Sequence, residues 1–436
     1  MPRSLRSAAA IVVLGLASVA CAPTPVAESE APSGGDVDFT DDLRRIATTQ
    51  GDLLDTDAVG RLGDSGDLRA AWLLADVLRF VPSLSREGTL LVDALADLTG
   101  LPIVPELPAS WVVVMDDLIT RDVPPPPDYA ALKSSVFAEV DPILGAFFAD
   151  PDNAFDPRFV TWGGVTPDLR PLDDTSPCSG CIPALDHPAV TDAAGGDWYQ
   201  DQMIVFGVVV GDEARAYPRH QMEIHEMVND TLGGREIVVP YCTLCGAAQA
   251  FYADDVPDTE RIVMRTSGLL HRSNKVSYDL TTGTFFDTFA GVGVSGPLSG
   301  VALTQVPVVT STWGAWKEAH PDTTILAEDG GIGRTYEFDP LRGRDANGPI
   351  FPVGPVDGRL GPVERVVGVI APDGTPVAFP TAMVTDGAEL AGVRLRSDGS
   401  GFVAETLDGE LLVSHGAYWF AWSQFHPDTE LWSAER

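Results

Sequence analysis

The chain has 436 residues, enough for roughly two or three domains, and sets 63 acidic side chains against 28 basic ones for a formal net charge of −35. That charge repels nucleic-acid phosphates and anionic lipid surfaces, and no basic patch or groove-reading motif offsets it, so no nucleic-acid partner is expected. The acid is spread along the chain rather than gathered in a tail, which reads as a solvated surface and not as a polyvalent cation site.

The N-terminus carries Arg3 and Arg6, then the apolar run AAAIVVLGLASVA, then Cys21. This order of basic start, short apolar run and small residues predicts an export signal over residues 1–21. Its end, SVAC, resembles a lipobox, which predicts a lipid anchor on Cys21 and a place on the outer face of the cell membrane. Ser18 stands where that pattern has leucine, and ordinary cleavage after Ala20 would give a secreted protein instead. Residues 22–40 are rich in Pro, Ala, Ser, Gly and acid and read as a flexible linker.

Residues 41–150 read as a helical domain, because DLRAAWLLADVLRF and YAALKSSVFAEVDPILGAFFAD place apolar residues at three-and-four spacing, with PPPP at 124–127 as a stiff interruption. From residue 155 to 436 the texture changes to short β-rich runs such as IVFGVVVGDEARAYP, GGREIVVPYC and KVSYDLTTGTFF, broken by Gly, Pro and Asp. TWGAWKEAHPDTTIL (312–326) matches YWFAWSQFHPDTELW (418–432), and FGVVVGDEARAYP (206–218) resembles VGVIAPDGTPVAFP (367–380). The expected fold class is therefore α+β: a helical N-terminal domain followed by a β-rich domain with an internal duplication, copy one at about 204–326 and copy two at about 366–432.

The paired tryptophans, three apart, share a helix face, and His320 and His426 stand where the proline ends that helix, which assigns both histidines to packing and capping. Function is expected where the copies differ. Only the first carries HEMVND (225–230) and YCTLCG (241–246).

Apart from Cys21, the cysteines form two Cys-x-x-Cys pairs, Cys178 with Cys181 and Cys242 with Cys245. Three readings use these atoms. Thiolates with imidazole suit zinc or copper, with Cys242, Cys245 and His225 as first ligands and His271, Cys178 and Cys181 as further candidates. A redox dithiol needs one thiol of lowered pKa and a neighbour that resolves the mixed disulfide. In an oxidising compartment each pair can also close as a plain local disulfide, and spacing alone does not separate the three. Glu226 and Asp230 flank His225 and are candidates to orient its ring. A serine hydrolase is disfavoured because SGLLHRSN lacks a Gly-x-Ser-x-Gly elbow, and a zincin because Asn229 replaces the second histidine of His-Glu-x-x-His. His187, His220 and His415 read as loop, surface or core histidines.

ARAYPRHQMEIHEMVNDTLGGREIVVPYCTLCGAAQAFYA, followed by SGLLHRSNKVSYDLTTGTFFDTFAG, SGPLSGVAL and TWGAWKEAHPDT, resembles the bacterial domain of unknown function 3179 family over roughly residues 155–430. The resemblance implies an exported protein and brings no established activity. Thr243 replaces the family's proline between the cysteines, and Cys178 and Cys181 stand where the family pattern lacks cysteine. The expected function is an envelope protein with a metal-binding or thiol redox centre on Cys242, Cys245 and His225. The alternative is a non-catalytic scaffold or binding module whose cysteines are structural disulfides.

Overall fold

The computed structural model describes residues 36–49, 53–107, 109–344, 348–385 and 387–434. The expected export signal, the lipidation site Cys21 and most of the expected linker lie outside them.

Seven helices come first: α1 Asp36–Thr48, α2 Thr56–Asp64, α3 Ala70–Leu78, α4 Arg86–Thr99, α5 Ser110–Thr120, α6 Tyr129–Ala138 and α7 Pro142–Ala149. Local chemistry sets several of their ends. Asp55 accepts from Ala58 N at 3.0 Å and Ser85 from Gly88 N at 3.0 Å, while Asp141 caps α7 with Pro142 in its first turn. Helix α3 is apolar all round and buried along its whole length, so the other helices must wrap it. Its one acid, Asp76, is fully buried and meets Lys133 at 2.9 Å and the Tyr129 hydroxyl at 2.6 Å. Those partners make burial of both charges tolerable.

The remainder folds into five small sheets. The first is antiparallel, in the order Val160–Trp162, Met264–His271, Asn274–Asp279, Phe285–Asp287, Val292–Ser295. The second runs Gln305–Val306, Ala250–Tyr252, Arg235–Cys242, Met227–Leu232, Leu185–Asp186, with Ala247–Ala248 also paired to Arg235–Cys242. The third runs Val308–Thr312, Ile204–Val210, Glu213–Pro218, Thr324–Leu326, Val190–Asp192. The fourth is Ser414–Tyr418, Arg365–Ile370, Pro376–Pro380, Glu430–Leu431, and the fifth Ala388–Leu390, Val393–Ser397, Phe402–Thr406, Leu411–Leu412. Three short helices interrupt them: α8 Arg219–His225, α9 Trp313–Ala319 and α10 Trp419–Phe425.

This corrects the expected fold class. The chain is a five-bladed propeller of small sheets with ten α-helices among the described residues, not a helical N-terminal domain followed by an α+β duplication. The helices have no closed core of their own: Val160, Leu269, Val276, Phe285 and Val294 of the first sheet belong to the cluster that holds α1–α7, and Phe147 meets Phe285 edge-on at 4.9 Å. An apolar helical layer left open on one side requires such a cover. The sequence repeat occupies two of the five blades, the third and fourth. In both, two antiparallel neighbours are followed by a parallel strand.

The repeated tryptophans explain why these two blades match. Trp316 lies against Gly207 and Trp422 against Gly368, so close that a Cβ there would meet the ring at 2.1 Å and 2.0 Å. Trp316 donates to Thr323 Oγ1 and Trp422 to Thr429 Oγ1, each at 2.9 Å. His320 and His426 then pack against these rings, tilted by 39° and 42°, at 4.1 Å and 4.2 Å, and their backbone NH groups close the helices onto Trp316 O and Trp422 O. Gly207→Val and Gly368→Val each force a ring to move, and each is expected to lower the unfolding free energy by about 1–3 kcal/mol. Urea unfolding of the two variants checks this; midpoints equal to wild type would mean the rings can shift freely.

Candidate functional site

Strand Arg235–Cys242 delivers Cys242 to a tight turn, and the chain returns at once with Cys242 opposite Ala247. Cys245 N donates to Cys242 O at 3.2 Å within the turn. Gly246 has φ +58°, and a Cβ on it would lie 2.8 Å from the Tyr418 ring, so glycine is required twice over. Tyr418 N donates to Cys245 O at 2.8 Å, which seats the turn on the fourth blade. Cys242 and Cys245 are both buried and both free thiols.

The first blade faces them with the tip of a hairpin. Its two turn residues, Arg272 (φ +48°) and Ser273 (φ +66°), are both left-handed although neither is glycine. Arg272 is held there by its backbone NH on Phe159 O at 2.9 Å and its guanidinium 3.8 Å over the Phe159 ring. The result is a carbonyl aimed at the sulfurs: Ser273 O lies 3.8 Å from Cys242 Sγ and 3.6 Å from Cys245 Sγ, with Asn274 Oδ1 a further 3.6 Å from Cys245 Sγ.

The two thiols differ electrostatically. Burial works to raise Cys242, but the hydrogen bond from the Cys245 thiol and the backbone NH groups of Lys275 and Cys245 outweigh it, and its pKa is lowered. Burial pushes Cys245 well up, and the hydrogen bond and charge of Cys242 push it further. The buried Asp287 carboxyl near Cys245 accepts from Phe289 N at 2.8 Å, and burial pushes its pKa up to about 6.

Cys242 belongs to the wall of a cavity of about 490 Å³, together with Thr243, Glu226, Lys275, Arg334 and Cys181. Lys275, nearly fully buried, pairs with Glu226 at 2.7 Å and donates to Glu226 O at 2.9 Å and Thr266 Oγ1 at 3.2 Å. Thr243, between the two cysteines, donates to Glu226 Oε1 at 2.8 Å.

His225 ends α8 one residue earlier. Its Nδ1 lies 2.7 Å from Pro183 O, which can only accept, so Nδ1 carries the proton and Nε2 accepts from the Tyr336 hydroxyl at 2.7 Å. Burial lowers its pKa to about 4, so the ring is neutral near pH 7. Both nitrogens are therefore committed, and His225 offers no ligand atom to Cys242 and Cys245. Glu226 is turned toward Thr243 and Lys275 rather than toward that ring. Asp230 serves elsewhere, taking Arg215 at 2.6 Å and the Tyr217 hydroxyl at 2.8 Å. His271 is stacked on Phe155 at 3.9 Å, edge-on to Phe425 at 5.7 Å, with no partner for Nδ1.

Cys178 and Cys181 form a disulfide with Cα atoms 5.6 Å apart. With Asp168 they make the one group among the described residues whose ligand atoms lie within 4.8 Å of one another as a metal site requires. The residues as they stand do not fit an ion, because the sulfurs are bonded to each other and Asp168 already accepts from Arg170 at 2.8 Å and Ala184 N at 2.9 Å. No sequence signal points to the roles of Lys275 and Tyr336, and Thr243 stands out only as the replacement for a proline and Ser273 only within SGLLHRSN. Ser273 and Lys275 sit inside HRSNKVSYD, a polar stretch between β runs that signals a hairpin but not what its tip will face.

Fold and site together define a small-bladed β protein with a buried, asymmetric dithiol beside a cavity. A family model described as "Protein of unknown function (DUF3179)" matches residues 179–399, half of the chain, and the chain belongs to that family. No curated protein and no solved structure matches.

The buried histidines give the fold an acid limit. His271 has its pKa lowered by burial to about 3, below the unfolded value of 6.5, so its contribution to stability is present above pH 6.5 and is lost as pH falls toward 3. His271→Phe keeps the ring stack and removes this proton uptake. The variant should lose up to about 1.4 kcal/mol per pH unit less than wild type over that window. Urea midpoints at pH 7 and pH 4.5 measure the difference; parallel acid losses would show that His271 does not titrate with unfolding.

Proposed function

We propose that Cys242 and Cys245 form a thiol redox centre that exchanges electrons with a disulfide-bearing substrate entering the 490 Å³ cavity. The observation that carries this reading is geometric: both thiols are free, Cys242 stands on the cavity wall, and Cys245, three residues on in the same turn, does not line it. In the reaction the Cys242 thiolate attacks one sulfur of the substrate, forming a mixed disulfide and releasing the other sulfur as a thiolate that takes up a proton. Cys245, giving up its proton, then attacks Cys242 Sγ, releases the second substrate sulfur and leaves Cys242 bonded to Cys245. Two electrons and two protons pass to the substrate. Zinc or copper at these thiols would need ligands other than His225, whose nitrogens are both engaged. The scaffold alternative, with Cys242 and Cys245 as a structural disulfide, is disfavoured because both thiols are free.

We place this centre in the cell envelope, on the outer face of the membrane, with Cys21 as the lipid-bearing residue. Among the described residues no helix is long and apolar enough to cross a membrane.

Two experiments test these readings. With glutathione disulfide at pH 7.5, Cys245→Ala should accumulate a mixed disulfide on Cys242, and Cys242→Ala should leave Cys245 unmodified at a rate at least about tenfold below Cys242 in wild type. Peptide mass spectrometry reads both; thiols that react only after unfolding, and then equally, would sink the redox reading. Labelled palmitate should enter the full-length chain in its native cell and not a Cys21→Ser chain, and release of soluble wild-type protein would instead mean ordinary secretion.

A further inference from the structure

The two cysteine pairs border one space in opposite oxidation states. Cys242, a free thiol, and Cys181, half of a disulfide, both line the 490 Å³ cavity. Cys178 does not; it lines an adjoining cavity of about 480 Å³, which Cys181 also borders together with Arg170. The disulfide thus lies between the two spaces, with Cys181 bordering both and Cys178 only the second.

The segments that carry the pairs are tied to a single point in the chain. His225 donates to Pro183 O, two residues beyond Cys181, and Glu226 accepts from Thr243, between Cys242 and Cys245. From the other side, Thr166 N donates to Gly180 O and Asp168 N to Thr266 O, and Thr266 Oγ1 accepts from Lys275, the partner of Glu226. The disulfide segment is therefore held on the cavity from both flanks. Three of its residues before Cys178, Thr175, Ser176 and Pro177, and two after it, Ser179 and Gly180, are exposed, so the pair is also open to an outside reductant or oxidant.

We propose that the Cys178–Cys181 disulfide and the Cys242–Cys245 dithiol form an internal relay, exchanging two electrons across the shared cavity between an outer and an inner pair. This rests on the redox reading of Cys242 and names its first disulfide partner. Cys242, as the thiolate, bonds to Cys181 Sγ; the Cys178–Cys181 bond breaks, and Cys178 leaves as a thiolate within 4.8 Å of the Asp168 carboxylate, whose charge Arg170 offsets at 2.8 Å, and is protonated. Cys245, losing its proton, bonds to Cys242 Sγ, and Cys181 leaves as a thiolate and is protonated in turn. The inner pair ends oxidised and the outer pair reduced, with no other reactant required. Run backward, the same steps carry oxidising equivalents from the inner pair to the outer one.

The test traps the intermediate. In a full-length chain carrying Cys21→Ser, Cys178→Ala and Cys245→Ala, only Cys181 and Cys242 remain, and one equivalent of diamide should join them within a single chain. Linked-peptide mass spectrometry should find that pair at least about tenfold more often than any link between chains. A folded variant that keeps both thiols alkylatable after oxidation overturns the relay. Should the variant not fold, wild type that has been fully reduced and given one equivalent of glutathione disulfide supplies the same answer by timed alkylation. The Cys242–Cys245 disulfide should then exchange with Cys178–Cys181 at a rate unchanged by about tenfold dilution, as an intramolecular step requires. Occupancies that never interchange overturn the proposal. If Cys242 reacts with glutathione disulfide but neither signature appears, the relay falls and the redox centre stands; if Cys242 does not react at all, both fall.

Discussion

The site depends on how one short helix ends. Helix α8 stops with Glu226 in a left-handed backbone, its NH on Met222 O at 2.8 Å, and this reversal sends two successive side chains in different directions. His225 goes to Pro183 and Tyr336, and Glu226 to Thr243 and Lys275. The carbonyl of Glu226 accepts from Tyr241 N and Lys275 Nζ, both at 2.9 Å. One residue therefore fixes the strand that delivers Cys242, the first-blade strand that carries Lys275 and the turn between the cysteines. A non-glycine residue at φ +53° is a strained choice, and here the ion pair and four hydrogen bonds of residue 226 hold it.

The two repeated blades share a frame and divide the labour. Each packs a tryptophan onto a glycine and a histidine against that tryptophan. Only the third blade continues, from Glu213–Pro218, into α8 and on to the cysteine-bearing strand. The matching strand of the fourth blade, Pro376–Pro380, continues into the fifth sheet, and Tyr418 of that blade packs on Gly246 and hydrogen-bonds Cys245 O. Val366, Ala378, Ala417 and Trp419 complete a hydrophobic cluster around the two thiols. The fourth blade thus walls in the buried cysteine pair that follows the third. Burial opposes ionisation at both sulfurs, and at Cys242, which also lines the cavity, the hydrogen bonds it receives outweigh that opposition.

The parts of this arrangement legible in the sequence are those encoded at short range. The Trp-x-x-Trp and His-Pro-Asp-Thr pattern is confined to one helix and its exit, so it could be read twice from neighbouring letters. The Cys-x-x-Cys turn is equally local. The partners of His225, Pro183 and Tyr336, lie 42 and 111 residues away and engage both of its nitrogens, which its neighbours in the sequence do not reveal. Lys275 was invisible for the same reason: a lysine in a strand reads as solvent-facing until the fold sets Glu226 against it. The five blades were legible only as β texture, because strands of two or three residues such as Leu185–Asp186 and Gln305–Val306 carry no period to read. The helices were read as an independent domain because apolar spacing reports which face is buried and not what buries it.

The direction of any chemistry at the thiols follows from this geometry. A thiolate on Cys242 is supported by the NH groups of Lys275 and Cys245 and by the Cys245 thiol itself, all fixed before reaction begins. Cys245 has the Ser273 carbonyl and Asn274 Oδ1, acceptors that favour its protonated form, and the Asp287 carboxyl near by. Negative charge is thus stabilised at the sulfur nearer the cavity and opposed at the one behind it. Once Cys242 is consumed in a mixed disulfide its charge is gone, and that share of the opposition to ionising Cys245 goes with it. In the proposed exchange the second thiol would become easier to ionise once the first has reacted, which would order its two steps.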